Sequence, residues 1–335
     1  MTAKRKLIAL SAAVTILAGC TASEPEAPGP QRPLTRVTLN LNPTLTYAPL
    51  VIAKEEGYFA AEGIDAEFIT LDPNSAVGAA ATGKLDVLSA GVRSGVFNMI
   101  MKGARMRIVS DKGYSSDHGC THEAFIAPAA VADRIAARGG SLRGEKIAVM
   151  RGGMVEMLFD RLLEYSKTSY EDVVFVQLPQ GSAASTRDRI DAIRYANEPD
   201  LSNALHDGWA KVVVSTETVA PGHHSAVLVF GRRLLDDPDL GERVMRAYLR
   251  GVRSYQQGKT PRNVEILSAY TKLPADIIHR ACWTTVMPDG QLNIDQVQLF
   301  LDWALAKNYL DREAPASQWW DPSFIEAAAS QPDAR

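Results

Sequence analysis

Few residues in this sequence have the chemistry for more than packing. His118-Gly-Cys-Thr-His122 places two imidazoles and a thiol at alternate positions. In an extended chain alternate side chains point to one side. Joined by His223 and His224, which open a later strand-like run, such a set could take zinc or copper. The spacing matches no standard zinc finger, so the preferred reading is no metal: loop histidines, one of them touching a bound molecule. Arg93 and Arg151 are the candidates to pair with an anion, against the alternative of surface arginines free in solvent. Thr46 and Tyr47 offer a hydroxyl and a planar ring that can stack on another, unless Tyr47 only packs a helix end. No catalytic residue and no cofactor is expected.

The elements around these residues alternate. "VTLNL" from Val37 reads as a buried strand. Pro49 suits a first helical turn, Gly57 ends that helix, Gly63 makes a second turn, and "DAEFITL" resumes as a strand. This is a β-α-β unit with a right-handed crossover. "SAVGAAATGKLDVLSAG" repeats the pattern and ends in a strand running to Gly91. "SGVFNMIMKGARMRIVSDKG" follows, then "HEAFIAP". A second series opens with "LRGEKIAVMRGG" and the striped helix "MVEMLFDRLLEYS", then strands at "DVVFVQLP", "IDAIRYANEP", "AKVVVS" and "HHSAVLVFG". Beyond Arg232 the chain reads as helical to about Phe324.

Two such series give an α/β chain with two sheets. Ligands of open α/β sheets bind beyond the carboxyl ends of the strands, and the cleft between two sheets is the natural pocket. The strand ends there are Gly91, Val92 and Arg93, then Tyr114 after Lys112 and Gly113, then Arg151, Gly152 and Gly153. The glycines let backbone amides approach a bound molecule closely. The five tryptophans, Trp209, Trp283, Trp303, Trp319 and Trp320, fall elsewhere and read as packing.

The N-terminus is not fold. Lys4, Arg5 and Lys6 precede an apolar run, Leu7 to Ala18, of signal-peptide length. The run ends in Leu17-Ala18-Gly19-Cys20, which resembles a bacterial lipobox. Cleavage there leaves Cys20 lipidated, at the head of a proline-rich tether that cannot pack. Loss of residues 1–19 removes three positive charges, so the net charge moves from -3 to -6. That acidity disfavours nucleic acid as a partner. Of the remaining cysteines, Cys120 and Cys282 are either paired or two buried thiols, and the sequence leaves both open.

Ala53 to Ala66, "AKEEGYFAAEGIDA", matches a family pattern, and "AATGKLDV" at 80–87 and "IDAIRYANEP" at 190–199 follow in the family's order. "PDGQLNIDQVQLFLDWALAKNYL" has its look as well. From about Val37 to Leu310 the chain resembles the substrate-binding proteins of bacterial ABC importers. The group is the SsuA/THI5-like one, which gathers sulfonate-, nitrate-, taurine- and thiamine-precursor-binding proteins with the yeast pyrimidine synthase.

The resemblance implies a two-lobed Venus-flytrap fold of the type II periplasmic-binding-protein class. Two hinge strands are expected near 122–127 and 225–230. Lobe one is then 36–122 with 230–325, lobe two 123–229, the signal peptide 1–19 and the tether 20–35. It adds Asn197 and Glu198 at the cleft, the carboxylate favouring an amine or ring N–H. It implies a monomer in the periplasm or cell envelope, anchored to the membrane by lipid. Its partners would be a small polar or heteroaromatic solute and the permease and ATPase subunits. The alternatives are a pyrimidine-synthase-like enzyme, although no cysteine cluster of the yeast kind is present, and a sensory binding protein.

Overall fold

The computed structural model describes residues 33–116, 119–177 and 191–330. The signal segment, Cys20, the tether and His118 lie outside them, as does the stretch 178–190. The strands are β1 (Thr35–Asn40), β2 (Ile64–Ile69), β3 (Val87–Gly91), β4 (Arg107–Tyr114), β5 (Glu123–Pro128), β6 (Lys146–Val149), β7 (Val174–Gln177), β8 (Ile193–Asn197), β9 (Ala210–Ser215) and β10 (His224–Phe230). They form two five-stranded sheets, ordered β2-β1-β3-β10-β4 and β7-β6-β8-β5-β9.

The opening β-α-β unit is built as its residues dictate. Pro49 sits in the first turn of the helix Ala48–Glu55. Gly57 and Gly63 take φ of +73° and +71°, the left-handed region where a Cβ is costly. β2 then returns parallel to β1. In each sheet one strand runs against the parallel set. β10 pairs antiparallel with β3 and β4, and β5 with β8 and β9.

The passages between the sheets are therefore not the strands expected to cross. β5 lies wholly in the second sheet and β10 wholly in the first. The chain crosses between the end of β4 and the start of β5 and again just before β10, and residues 224–229 belong with lobe one rather than lobe two. The shift follows from pairing: β10 fills the gap between β3 and β4, which have no ladder with each other.

One apolar cluster packs the long helix Pro238–Gln256 and the helix Ala48–Glu55 on one face of the first sheet. The larger one runs without a break from the first lobe into the second, joining Phe97, Phe300 and Trp319 to Phe125, Phe159 and Ile147, and two small clusters lie elsewhere in the second lobe. Phe97 meets Trp319 edge-on at 5.5 Å, and Phe125 meets Phe159 at 4.6 Å. Each such fully buried ring is worth roughly 2–3 kcal/mol of transfer free energy. Of the tryptophans, Trp319 is buried here and Trp283 stacks on Tyr255 at 5.1 Å, both in packing roles.

Where the helices Ala48–Glu55 and Pro238–Gln256 touch, Gly251 leaves no room. A Cβ there would collide with the carbonyl of Pro49 and come within 2.8 Å of the Ala53 Cβ. Gly251→Ala should lower unfolding free energy by about 2 kcal/mol or more through overpacking, measured by urea denaturation. A loss under about 0.5 kcal/mol would show that the two helices can part freely.

Candidate ligand-binding cleft

The two lobes touch at the strand ends. The Met154 amide donates to the Val92 carbonyl (2.9 Å), and the Ser94 amide and hydroxyl both donate to the Gly152 carbonyl (2.9 Å each). Gly152 has φ +78°, and a Cβ on it would lie 3.1 Å from Ser94 Oγ. Gly153 faces Arg93 across a bridge. The glycines expected at a cleft thus permit close approach, but of one lobe to the other.

Behind this contact is a small cavity of ≈ 50 Å³, lined among others by Asn40, Asn42, Tyr47, Ser89, Gly91 and Arg93. Its floor is fixed by hydrogen bonds. Asn40 Nδ2 donates to the Ser89 carbonyl (3.1 Å) and its Oδ1 accepts from the Ser89 amide (2.7 Å). The Tyr47 hydroxyl donates to the same carbonyl (3.2 Å) and accepts from Asn42 Nδ2 (3.3 Å). Ser89 Oγ, by contrast, is buried with no partner. The Arg93 guanidinium has no hydrogen bond or ion pair among the described residues. Burial holds its pKa below the ordinary value, with Asp72 the opposing charge. A half-buried, unpaired guanidinium on a residue that lines the cavity suits an anion.

The other expected residues are distributed differently. Arg151 is spent on Glu156, donating at 2.9 Å, while the second Glu156 oxygen takes the Gly152 amide at 2.7 Å. Tyr309 donates to that carboxylate as well (3.0 Å). Arg151 and Arg93 are near in the chain trace but do not converge on one anion. Glu198 is consumed too. Its oxygens accept from the Cys282 amide (3.0 Å) and from the Ser202 amide and hydroxyl (3.0 and 2.8 Å). Burial raises its pKa above the ordinary value despite these bonds. It is a junction holding three segments together, not an open acceptor for an amine.

Thr46 is buried, its hydroxyl meeting Thr44 at 2.8 Å. Tyr114 does not line the cavity; its amide donates to the Thr285 carbonyl (3.0 Å) and its ring packs on His224 at 5.9 Å. Asn197 lies opposite Glu123 in the sheet. Cys120 and Cys282 are joined as a disulfide, with Cα atoms 5.8 Å apart. The thiol is thereby removed from any metal set, and no group of three or more His, Cys, Asp or Glu among the described residues is placed to hold a metal ion.

His122, His223 and His224 are buried, and they surround residues that sequence reasoning passed over. Lys112 lies inside β4, 1% exposed, with Nζ 3.9 Å from the Tyr47 ring centroid and 3.4 Å from the Thr46 carbonyl. Burial pulls its pKa down to about 7, against the pull of Asp111 and Glu123. Glu123 opens β5 and is equally buried. His223 Nε2 meets Glu123 Oε2 at 3.1 Å, and its Nδ1 meets the Ala220 carbonyl at 2.7 Å. His224 donates from Nδ1 to Asp111 (2.8 Å) and accepts the Asn293 amide on Nε2 (2.9 Å). The signal for these residues was present: "SDKG" and "HEA" put charges inside runs otherwise read as buried strands.

The family model described as NMT1/THI5 like matches residues 44–258. The chain belongs to the NMT1/THI5-like family. Among curated protein sequences no relative is found. Among solved structures, the alkanesulfonate-binding protein SsuA of Xanthomonas axonopodis pv. citri, bound to MOPS, is 17% identical with a TM-score of 0.65, over 87% of this chain and 99% of that one. The periplasmic nitrate-binding protein NrtA of Synechocystis PCC 6803 is 15% identical with a TM-score of 0.69, over 88% of each chain. A point mutant of DszB in complex with biphenyl-2-sulfinic acid is 14% identical with a TM-score of 0.63, over 88% and 99%. This NMT1/THI5-like chain has the two-lobed periplasmic-binding-protein fold that these neighbours share.

The Glu123 carboxyl has a pH signature. Burial works against its charge, but the His223 hydrogen bond and the charges of His122 and His223 prevail and hold it down at about 2. A carboxyl that is low in the folded chain and ordinary, at 4.5, in the unfolded one adds stability above 4.5 and gives it up as pH falls toward 2. Denaturation followed at successive pH values should show this group contributing on the order of 3 kcal/mol across that window. Glu123→Gln should flatten the acid limb; an unchanged limb would mean the carboxyl is not paired as described.

Proposed function

We propose that this chain is a solute-binding protein of an ABC importer, held outside the cytoplasm by a lipid on Cys20. It captures a small solute with an anionic group between its lobes and delivers it to a permease. The observation that carries the reading is the unpaired Arg93, which lines a cavity of the first lobe at its strand ends and is bridged to Gly153 of the second. A volume of ≈ 50 Å³ has room for roughly four water-sized atoms, the size of a nitrate or of the head group of a sulfonate. SsuA and NrtA, named for such anions, share the fold. The mechanism needs no covalent step: a solute that touches both lobes binds the closed state better than the open one and shifts the population toward it.

An enzyme on this fold is the second reading, favoured by the likeness to DszB. Against it, Cys120 and Cys282 are bonded to each other, which leaves no free thiol among the described residues. Turnover of a sulfinate would revive it.

Thermal-shift and calorimetric titration with nitrate, sulfate and short alkanesulfonates test the receptor reading, since a ligand of the folded state raises the melting temperature. One of these anions should bind, and Arg93→Ala should weaken it about 10- to 100-fold by loss of a charge-assisted hydrogen bond. Binding unaffected by Arg93→Ala would place the anion elsewhere. For the anchor, cells fed labelled palmitate should label the protein, and Cys20→Ala should abolish the label and free the protein from the membrane fraction. A label that survives Cys20→Ala would refute that anchor.

A further inference from the structure

The two passages of chain are not the only ties between the lobes. The helix Ile294–Ala306 packs on both. Phe300 meets Phe97 of the first lobe at 6.1 Å, and the same apolar cluster continues to Phe159 of the second. The segment that follows this helix is anchored on the first lobe. Asn98 Nδ2 donates to the Tyr309 carbonyl (2.8 Å), and Arg312 donates to the Met101 carbonyl (2.8 Å). Asn98 and Met101 belong to the helix Ser94–Met101, which begins at the rim where the lobes touch.

The side chains of this stretch reach the other way. Trp303 Nε1 and Lys307 Nζ both donate to Asp160 Oδ2 (2.8 and 2.7 Å). The Tyr309 hydroxyl donates to Glu156 Oε1 (3.0 Å). Both carboxylates are on the helix Met154–Tyr165 of the second lobe. Tyr309 is thus held at its carbonyl by one lobe and at its hydroxyl by the other. The side chain of Glu156 is 1% exposed and that of Asp160 15%. Hydrogen bonds to carboxylates in such dry surroundings are of the stronger kind.

Glu156 also connects this contact to the rim. Its other oxygen accepts the Gly152 amide, and the Gly152 carbonyl accepts the Ser94 hydroxyl of the first lobe. Parting the rim, where the Met154 amide meets the Val92 carbonyl, moves the helix Met154–Tyr165 away from the segment that grips it.

We propose that Trp303, Lys307 and Tyr309 form a clasp that holds the lobes together before a solute arrives, so that its release gates entry to the Arg93 cavity. This rests on the receptor reading and adds to it a control of access from outside the cleft.

The test is amide hydrogen exchange followed by NMR on solute-free protein. The Ser94 and Met154 amides donate across the rim and exchange when it opens, whereas amides in the ladders of either sheet need a deeper opening. Both cross-lobe amides should be protected in the native chain. Lys307→Met keeps the aliphatic stem and should lower that protection about 3- to 10-fold. Tyr309→Phe should lower it about 10- to 100-fold by loss of a hydrogen bond to a charged group. The ladder amides should hold in both variants, and Lys307→Arg should keep most of the protection. Cross-lobe amides that exchange freely in the native chain overturn the proposal. So does protection unchanged in both variants, and so does an equal loss at the ladder amides, which would make these contacts general packing. A clasp that behaves as expected in a chain that binds none of the anions supports the proposal and counts against the receptor reading alone.

Discussion

Glu123 and His223 stand at the ends of different passages between the two sheets, and the 3.1 Å bond between them ties those passages together in the dry interior. A buried carboxylate without its partner would cost several kcal/mol, so the position of each passage constrains the other. The surrounding contacts continue this knot. Glu198 joins the end of β8 to Ser202 and Cys282, and its own carbonyl accepts the Leu45 amide of the first lobe (3.1 Å). The disulfide pins the first passage to the C-terminal helical part of the chain. Lobe orientation is set by a small set of polar contacts around the passages, with the apolar cluster supplying the bulk of the cohesion.

The same arrangement explains why one arginine is available and the other is not. Arg151 lies five residues before Glu156, and the turn between them brings the carboxylate back onto both the guanidinium and the Gly152 amide. Arg93 is followed by Ser94, whose amide and hydroxyl are used to grip the opposite lobe. Closure of the lobes thus shields the Arg93 guanidinium from water without supplying it a partner. A charge held in that condition responds strongly to an anion of matching shape.

Local chain chemistry was legible in the sequence, and long-range pairing was not. Pro49, Gly57 and Gly63 announced the first β-α-β unit because each constrains its own backbone. Gly91 and Arg93 were legible as the end of β3 because a short apolar run closing on glycine marks a strand end locally. Glu198 misled because its partner Cys282 is 84 residues further along, and nothing local marks the carboxylate as occupied. Lys112 and Glu123 were passed over because a charge in an apolar strand has no periodic signature; only the assembled interior shows that both are dry. The hinge strands were set a few residues off because the position of β10 depends on the empty slot beside β3, a property of the whole sheet.

That slot has a consequence for how the chain comes together. β3 and β4 are neighbours in sequence yet share no ladder, and the strand that separates them arrives more than a hundred residues later. A nascent chain that ends between Ser215 and His224 holds β4 as a loose edge, while the strands of the second sheet, β5 to β9, are already made. The inserted lobe can therefore mature first, and the outer one must wait for its last strand to be threaded home.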